Sequence, residues 1–371
     1  MRRVSVGIIG CGLMGMHHVV ALKSLREAGI LDIDFRAVSD VDEPKMMRFA
    51  RAYHFAKSYT DCFRMLDDGD VEVVFVCTPT KYHKEHVLGA VNAGKPVLCE
   101  TPLAVSLADA KEMLNFAERK HVKAQIGLVL RFHPTLNYIA DVISSGRLGE
   151  VLSAVLRSDQ VFPVGGFYVS DWRGDPSLSG GGVLLERSIH DMDILRWLLG
   201  VPTYVYATCT HYTEKNVERL VGMTLEFKCG ALASVVSVWH KMPLRLSERS
   251  LTIYCEEGFV QLNLGTMGEL AYLQSKGEAE KLNVDAIFIG FLKRIGLKAS
   301  PLLVRYGTGE NFYLEDYAFL RAVVEDREVY PDFRHGVEAQ ELVEAAYISS
   351  NNNVRVSLPL KENRFRETLH F

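Results

Sequence analysis

Glu186 and His190 stand four residues apart in a stretch of helical spacing, so a carboxylate and an imidazole share one helix face. Histidine changes charge near neutrality, which makes it a natural acceptor for a proton leaving a hydroxyl. A carboxylate beside it can orient the ring and favour its charged form. The run Gly180-Gly181-Gly182 precedes the pair. Far upstream, Gly10-Cys11-Gly12-Leu13-Met14-Gly15 offers a different chemistry. Gly10 permits a tight turn, Gly12 lets a pyrophosphate approach the backbone, and Gly15 lets the next helix pack closely. The amides and dipole at that helix's start favour a phosphate.

The elements around the glycines make this motif specific. Residues 4–9 form an apolar run long enough for a buried strand. Met14, His18, Ala21, Leu25 and Ala28 recur at helical spacing, and Gly29 can end that helix. Residues 33–39 read as a second strand, which Asp40 closes. Strand, glycine turn, helix, strand and acid together predict a dinucleotide site. A carboxylate at position 40 accepts from a ribose 2′-hydroxyl and repels a 2′-phosphate. Residues 41–44 carry no Arg or Lys, so NAD is expected over NADP, with Lys45 and Arg48 on the next helix able to soften the preference.

Downstream, helices are expected at 42–53, 59–66, 83–93 and from the Ser106 cap to about 120, where Asp109 takes the capping-box position. Strands are expected at 71–77, 96–100 and 124–130. This alternation predicts a parallel, doubly wound sheet with ligands outside the carboxyl ends of its strands. Thr78, Pro79, Thr80 and Lys81, His83 at the next helix start, and Glu100, Thr101 and Pro102 then join Asp40 on one edge. After residue 130 the pattern changes. A helix near 134–145 and a run at 151–157 lead to strands near 203–213, 219–228, 231–239, 249–255 and 258–264, with a turn at Lys228-Cys229-Gly230. Short turns between successive strands predict an antiparallel sheet. One long helix, 185–199, interrupts it, and late helices follow at 312–325 and 335–350. Residues 266–311, with the apolar piece 286–292, carry no assignment. The fold expected is α/β plus α+β, with a nucleotide domain at 1–130 and a sheet domain at 131–371 that binds substrate and forms oligomers.

Composition narrows the function classes. A net charge of −4 without a basic cluster disfavours nucleic acid. No apolar run reaches the ~18 residues of a membrane span. The run before Cys11 is too short for a signal-peptide core of ~7–15 residues, so a cytoplasmic location is expected. Seven scattered cysteines without a C-x-x-C argue against zinc and disulfides; Cys11, Cys77 and Cys99 read as small buried residues. No metal is expected.

Four stretches in order resemble the glucose–fructose oxidoreductase / inositol dehydrogenase / MocA family: residues 10–18, Cys77-Thr78-Pro79-Thr80-Lys81-Tyr82-His83, Cys99-Glu100-Thr101-Pro102-Leu103, and the stretch from Gly180 to Asp193. The resemblance implies an N-terminal Rossmann domain, a C-terminal open antiparallel sheet that mediates oligomerisation, and oxidation or reduction of a hydroxyl on a sugar, cyclitol or sugar nucleotide. It also suggests a cis peptide before Pro102. Members usually carry Glu-Lys-Pro where this chain has Glu100-Thr101-Pro102, and Asp-x-x-x-His where it has Glu186-x-x-x-His190.

On this reading His190 is the general base and Glu186 its orienting partner. Thr101 either donates a hydrogen bond or shapes the turn before Pro102. Lys81 either replaces the missing ammonium or is a surface residue. Arg131, Tyr168, Trp172 and Arg173 are candidate substrate contacts; Trp172 offers a stacking face and Arg173 a fork of donors to a sugar ring. Two further readings stay open: a lyase or glycosidase using transient oxidation by held NAD, and a nucleotide or sugar sensor without turnover. Leu232, Val236 and Val238 share one side of a strand, which predicts a homodimer or homotetramer through that sheet.

Overall fold

The computed structural model describes residues 2–164, 170–211, 216–242, 245, 247–265, 268–298 and 311–361. Contacts divide the chain into two compact units: Met1–Val129 with Ser300–Val337, and Leu130–Ala299 with Glu338–Phe371.

Among the described residues, the first unit holds six parallel strands: β1 (Val4–Ile9), β2 (Ile33–Ser39), β3 (Lys57–Tyr59), β4 (Val73–Val76), β5 (Val97–Cys99) and β6 (Ala124–Ile126). Their order is β3-β2-β1-β4-β5-β6. Val6, Ile8, Val73, Phe75 and Leu98 are fully buried, as a sheet covered on both faces requires. The chain moves to one side after β1 and to the other from β4 onward. The carboxyl ends of β1 and β4 therefore flank the switch point where such sheets bind ligands. Cys11, Cys77 and Cys99 are buried here, as expected of small apolar residues.

Two local expectations change. Tyr59 ends a strand instead of starting a helix, because residues 57–59 pair with the open edge of β2. The helix runs Cys62–Leu66 and is capped by Asp61, which accepts from Phe63 N. The strand expected to reach residue 130 stops at Ile126, and a short 3₁₀ turn, Val129–Phe132, follows.

The Phe312–Val324 helix packs against the Leu13–Glu27 helix of the same unit. Phe312 lies 5.2 Å from both His17 and His18, and Phe319 meets Phe75 edge-on at 5.6 Å. The sequence reading counted this helix with the second domain; its apolar face belongs to the core of the first unit.

Among the described residues, the second unit has nine strands: β7 (Val151–Val161), β8 (Pro202–His211), β9 (Glu218–Phe227), β10 (Leu232–His240), β11 (Glu248–Cys255), β12 (Gly258–Gly265), β13 (Gly268–Ser275), β14 (Glu280–Lys281) and β15 (Val356–Ser357). Their order is β14-β13-β12-β11-β7-β10-β9-β8-β15. The sheet is mixed and not wholly antiparallel, because β7 and β10 run parallel from Ser153↔Leu232 to Val161↔His240. The long connection between them, which includes the β8–β9 hairpin, lets the chain return in the same direction. β13, β14 and a helix at Val284–Arg294, capped by Asn283, occupy part of the stretch left unassigned from sequence.

Along β10, Ala233, Val235, Ser237 and Trp239 are buried while Leu232 and Val236 are 49% and 46% exposed. Leu152, Val155 and Tyr254 of the neighbouring strands are exposed as well. Among the described residues, no helix is long and apolar enough to cross a membrane.

Candidate functional site

The glycine turn leaves β1 at Ile9. Gly10 adopts φ +104°, and a Cβ there would stand 2.6 Å from the Cys77 carbonyl oxygen. A Cβ on Gly15 would meet the Gly10 oxygen at 2.1 Å, so the helix passes the turn at backbone distance. A Cβ on Gly12 meets nothing within 4 Å. The Leu13–Glu27 helix has no side-chain cap, which leaves the first-turn amides of Leu13, Met14 and Gly15 to a ligand. These residues fit the pyrophosphate of a dinucleotide: open space at Gly12, uncapped amides, and the positive end of a helix dipole.

Asp40 is already oriented. Its carboxylate accepts from Cys11 N at 2.8 Å and Asp42 N at 3.0 Å, and Lys45 Nζ lies 2.7 Å away. The acid at the end of β2 thus holds the glycine turn. Its charge is countered by Lys45, one of the two cations expected from sequence to soften the NAD preference.

Beyond β4, Thr78 and Pro79 are half-buried, Thr80 is buried and Lys81 is exposed. His83 is buried between two carbonyl oxygens, Pro102 O at 2.9 Å from Nδ1 and Thr78 O at 2.8 Å from Nε2. It therefore stands behind these loops as a tie between them. Burial lowers its pKa from the ordinary histidine value, against the two carbonyls that favour the charged form. Burial, with His83 adding to it, also pushes His86 down to about 4, and its neutral Nδ1 lies 3.1 Å from Thr78 Oγ1.

After β5, the Thr101–Pro102 peptide is cis. Thr101 is half-buried, and its N–H donates to Glu100 Oε2 at 3.1 Å. Glu100 Oε1 lies 3.0 Å from His18 Nε2, and His18 Nδ1 lies 2.7 Å from Asp316 Oδ1. Burial pulls His18 down, but Asp316 and then Glu100 outweigh it and hold its pKa well above the ordinary value. Burial pushes the Asp316 carboxyl up to about 6.

In the second unit the expected helix 185–199 begins later. Its regular part is Ile189–Leu199, and Val183–Arg187 forms a wider turn in which Ser188 N donates to Val183 O at 2.9 Å. The glycine run explains the change. Gly182 N and Leu184 N both donate to Glu218 Oε1, at 2.7 and 3.0 Å, and Tyr347 Oη donates to the same oxygen at 2.6 Å. A Cβ on Gly182 would stand 2.1 Å from the Glu218 carbonyl oxygen. The run lies flat on the start of β9, and the wide turn carries the chain from there into the helix.

Glu186 sits in that turn and pairs with Arg173, whose Nε donates to Oε2 at 3.0 Å. Arg173 Nη1 also donates to Ser170 Oγ at 2.8 Å, and its guanidinium lies 4.4 Å from the Trp172 ring centre. Glu186, Arg173 and Trp172 thus form one cluster. Tyr168 lies outside the described residues.

His190 is half-buried, with Nδ1 on the buried side. Its helix is held by two buried ion pairs. Asp191 accepts from Arg249 Nε at 2.6 Å and from Ser237 Oγ at 3.3 Å. Asp193 accepts a bidentate pair from Arg131, 2.7 Å to Nε and 2.8 Å to Nη2. Arg131 also lies 4.9 Å from the Trp197 ring centre. Arg131, named from sequence as a candidate substrate contact, thus holds the helix that carries His190.

Sequence reasoning passed over Glu218, Tyr347, Arg249 and Asp316, and gave no role to His18, Asp191 or Asp193. The last three fell within motif stretches, so a signal existed. Nothing in the local sequence tied residue 218 to residue 182 or residue 316 to residue 18.

Two family descriptions match the chain. "Oxidoreductase family, NAD-binding Rossmann fold" covers residues 4–128, and "GFO/IDH/MocA C-terminal domain" covers residues 136–261. A levoglucosan dehydrogenase from Pseudarthrobacter phenanthrenivorans is 24% identical over 97% of this chain and 99% of its own. Inositol 2-dehydrogenase 2 from Saccharopolyspora erythraea is 34% identical over 53% of this chain and 54% of its own. Among solved structures, levoglucosan dehydrogenase in complex with NADH and levoglucosan superposes with a TM-score of 0.84, at 24% identity over 97% of this chain and 100% of that one.

Proposed function

We propose, since the chain belongs to the glucose–fructose oxidoreductase / inositol dehydrogenase / MocA family of NAD-binding oxidoreductases, that it moves a hydride between NAD and a hydroxyl of a cyclitol, sugar or sugar derivative, with His190 as the base. The observation that carries the assignment of the base is the mounting of His190, half-buried on a helix pinned at Asp191 and Asp193. Bound NAD supplies the hydride acceptor. The glycine turn and the first-turn amides of the Leu13–Glu27 helix would hold its pyrophosphate, and Asp40 would accept from the ribose hydroxyl. His190 would take the proton of the substrate hydroxyl. Nε2 receives it, since Nδ1 faces inward. Arg173, stacked on Trp172 and fixed by Glu186, offers its remaining N–H groups to ring hydroxyls. The relatives' names, levoglucosan and inositol dehydrogenase, support a cyclic polyol. NADH formation across a panel of polyols, sugars and sugar nucleotides tests the reading. NAD binding without turnover on the whole panel replaces it with the sensor reading that Thr101 favours, and bond cleavage without net NADH replaces it with the lyase reading.

Cofactor choice gives a second test. NAD is expected to bind at least about tenfold tighter than NADP, a difference of about 1.4 kcal/mol. Asp40→Ala narrows the gap from the NADP side, because it removes the repelling carboxylate and frees Lys45 to meet a 2′-phosphate. Equal affinities for the two cofactors in calorimetry of the wild type overturn this.

The exposed apolar side of the β7–β10–β11 region also needs cover. Leu152, Val155, Leu232, Val236 and Tyr254 lie on it, each more than two-fifths exposed. A patch of this kind in a soluble protein marks an association surface, and a second copy of the same sheet is its proposed occupant. Light scattering at micromolar concentration is expected to give a dimer or tetramer; a monomer refutes it.

A further inference from the structure

Residue 101 is one of two positions where the sequence differs from the motifs it resembles, and its two neighbours are each held by a buried histidine. On one side Glu100 meets His18 Nε2 at 3.0 Å. On the other the Pro102 carbonyl oxygen lies 2.9 Å from His83 Nδ1. Both rings are essentially without solvent exposure, 0% for His18 and 1% for His83.

Each histidine ties the turn to something else. His18 comes from the helix that begins at the glycine turn, and its other nitrogen meets Asp316 of the Phe312–Val324 helix at 2.7 Å. His83 meets the Thr78 carbonyl oxygen at the exit of β4. One turn is thus connected to the pyrophosphate helix, to the adjoining strand-exit loop and to a late helix.

We propose that His18 and His83 are positioning residues that clamp the Glu100–Thr101–Pro102 turn from both sides and fix where the side chain of residue 101 stands. The proposal rests on the dehydrogenase reading for the importance of residue 101, but the clamp itself has a test that needs no turnover.

The chemistry of His18 supports the clamp. Both ring nitrogens face carboxylate oxygens, which only accept, so a doubly protonated ring satisfies both. Removing its charge leaves Glu100 and Asp316, with Glu315 close by, as buried acids without their shared cation. His83 works differently: its ring bridges two carbonyl groups, and a side chain of another shape loses one or both. The clamp acts on the backbone around residue 101 and does not depend on the residue type there. Thr101→Lys is therefore accommodated by the same turn.

The test uses the full chain and the variants His18→Gln, His83→Gln and Asp316→Asn. Hydrogen exchange followed by mass spectrometry reads the peptide spanning residues 99–104 against a peptide from β1. Faster exchange at the turn with β1 unchanged is the expected result in each variant. With a turned-over alcohol, kcat is expected to fall by about 10- to 100-fold while KM changes little, the signature of a misplaced reacting group. Unchanged exchange at the turn overturns the clamp. So does a uniform rise in both peptides, which is simple destabilisation, or a fall in melting temperature with kcat intact. If His18→Gln does not fold, His83→Gln and Asp316→Asn decide the matter by the same readings. If no alcohol is turned over even by the wild type, the dehydrogenase reading fails while the exchange result still judges the clamp.

Discussion

His190→Ala is expected to lower turnover by about 10²–10⁴-fold, the contribution of a positioned base. NAD affinity is expected to stay nearly unchanged, because His190 belongs to the second unit and the glycine turn to the first. Glu186→Gln costs less, since the amide oxygen still accepts from Arg173 and the base remains. Steady-state kinetics with calorimetric NAD titration separates these effects. Were His190→Ala to keep wild-type turnover, the base would be misassigned, and the exposed Lys81 would be the next candidate.

The second large effect is on stability. Glu218 is 2% exposed, and one of its oxygens accepts from Gly182 N, Leu184 N and Tyr347 Oη. Glu218→Ala removes the acceptor that three buried donors share. Hydrogen bonds to charged groups contribute about 1.5–3 kcal/mol each without adding fully, so a loss of about 3 kcal/mol or more is expected. For a unit of this size that lowers Tm by roughly 6–12 °C. Glu218→Gln is expected to recover most of the loss, because its carbonyl oxygen can take the place of the one oxygen that all three donors share. Gly182→Ala is expected to behave like the alanine variant, as its Cβ has no room beside β9. Scanning calorimetry in which Glu218→Ala melts with the wild type removes the anchor from this account.

The contrast between these two predictions marks where sequence was informative. His190 stands in a contiguous motif, and the glycine turn is a local event in which ten residues carry strand end, turn and helix start together. The same holds for the Ser106 cap, whose hydroxyl accepts from Asp109 N at 3.1 Å. Glu218 is a glutamate at the start of a strand, and only the fold brings it under Gly182. The parallel pairing of β7 with β10 was hidden for the same reason, since strand periodicity carries no direction. The wide turn at Val183–Arg187 was not legible either: helical spacing predicts a helix from 185, and the regular helix begins at Ile189. The pairing of Arg131 with Asp193 was hidden too, since nothing local links residue 131 to residue 193.

The two ion pairs beside His190 have one more consequence. Asp191 and Asp193 have essentially no solvent exposure, and Arg131 and Arg249 are nearly as enclosed. Mobile ions weaken attraction between exposed charges but reach buried pairs much less. The roll of the Ile189–Leu199 helix, and with it the aim of the imidazole, is therefore insulated from ionic strength. Added salt would weaken exposed pairs such as Arg2–Glu72 well before it reaches these two.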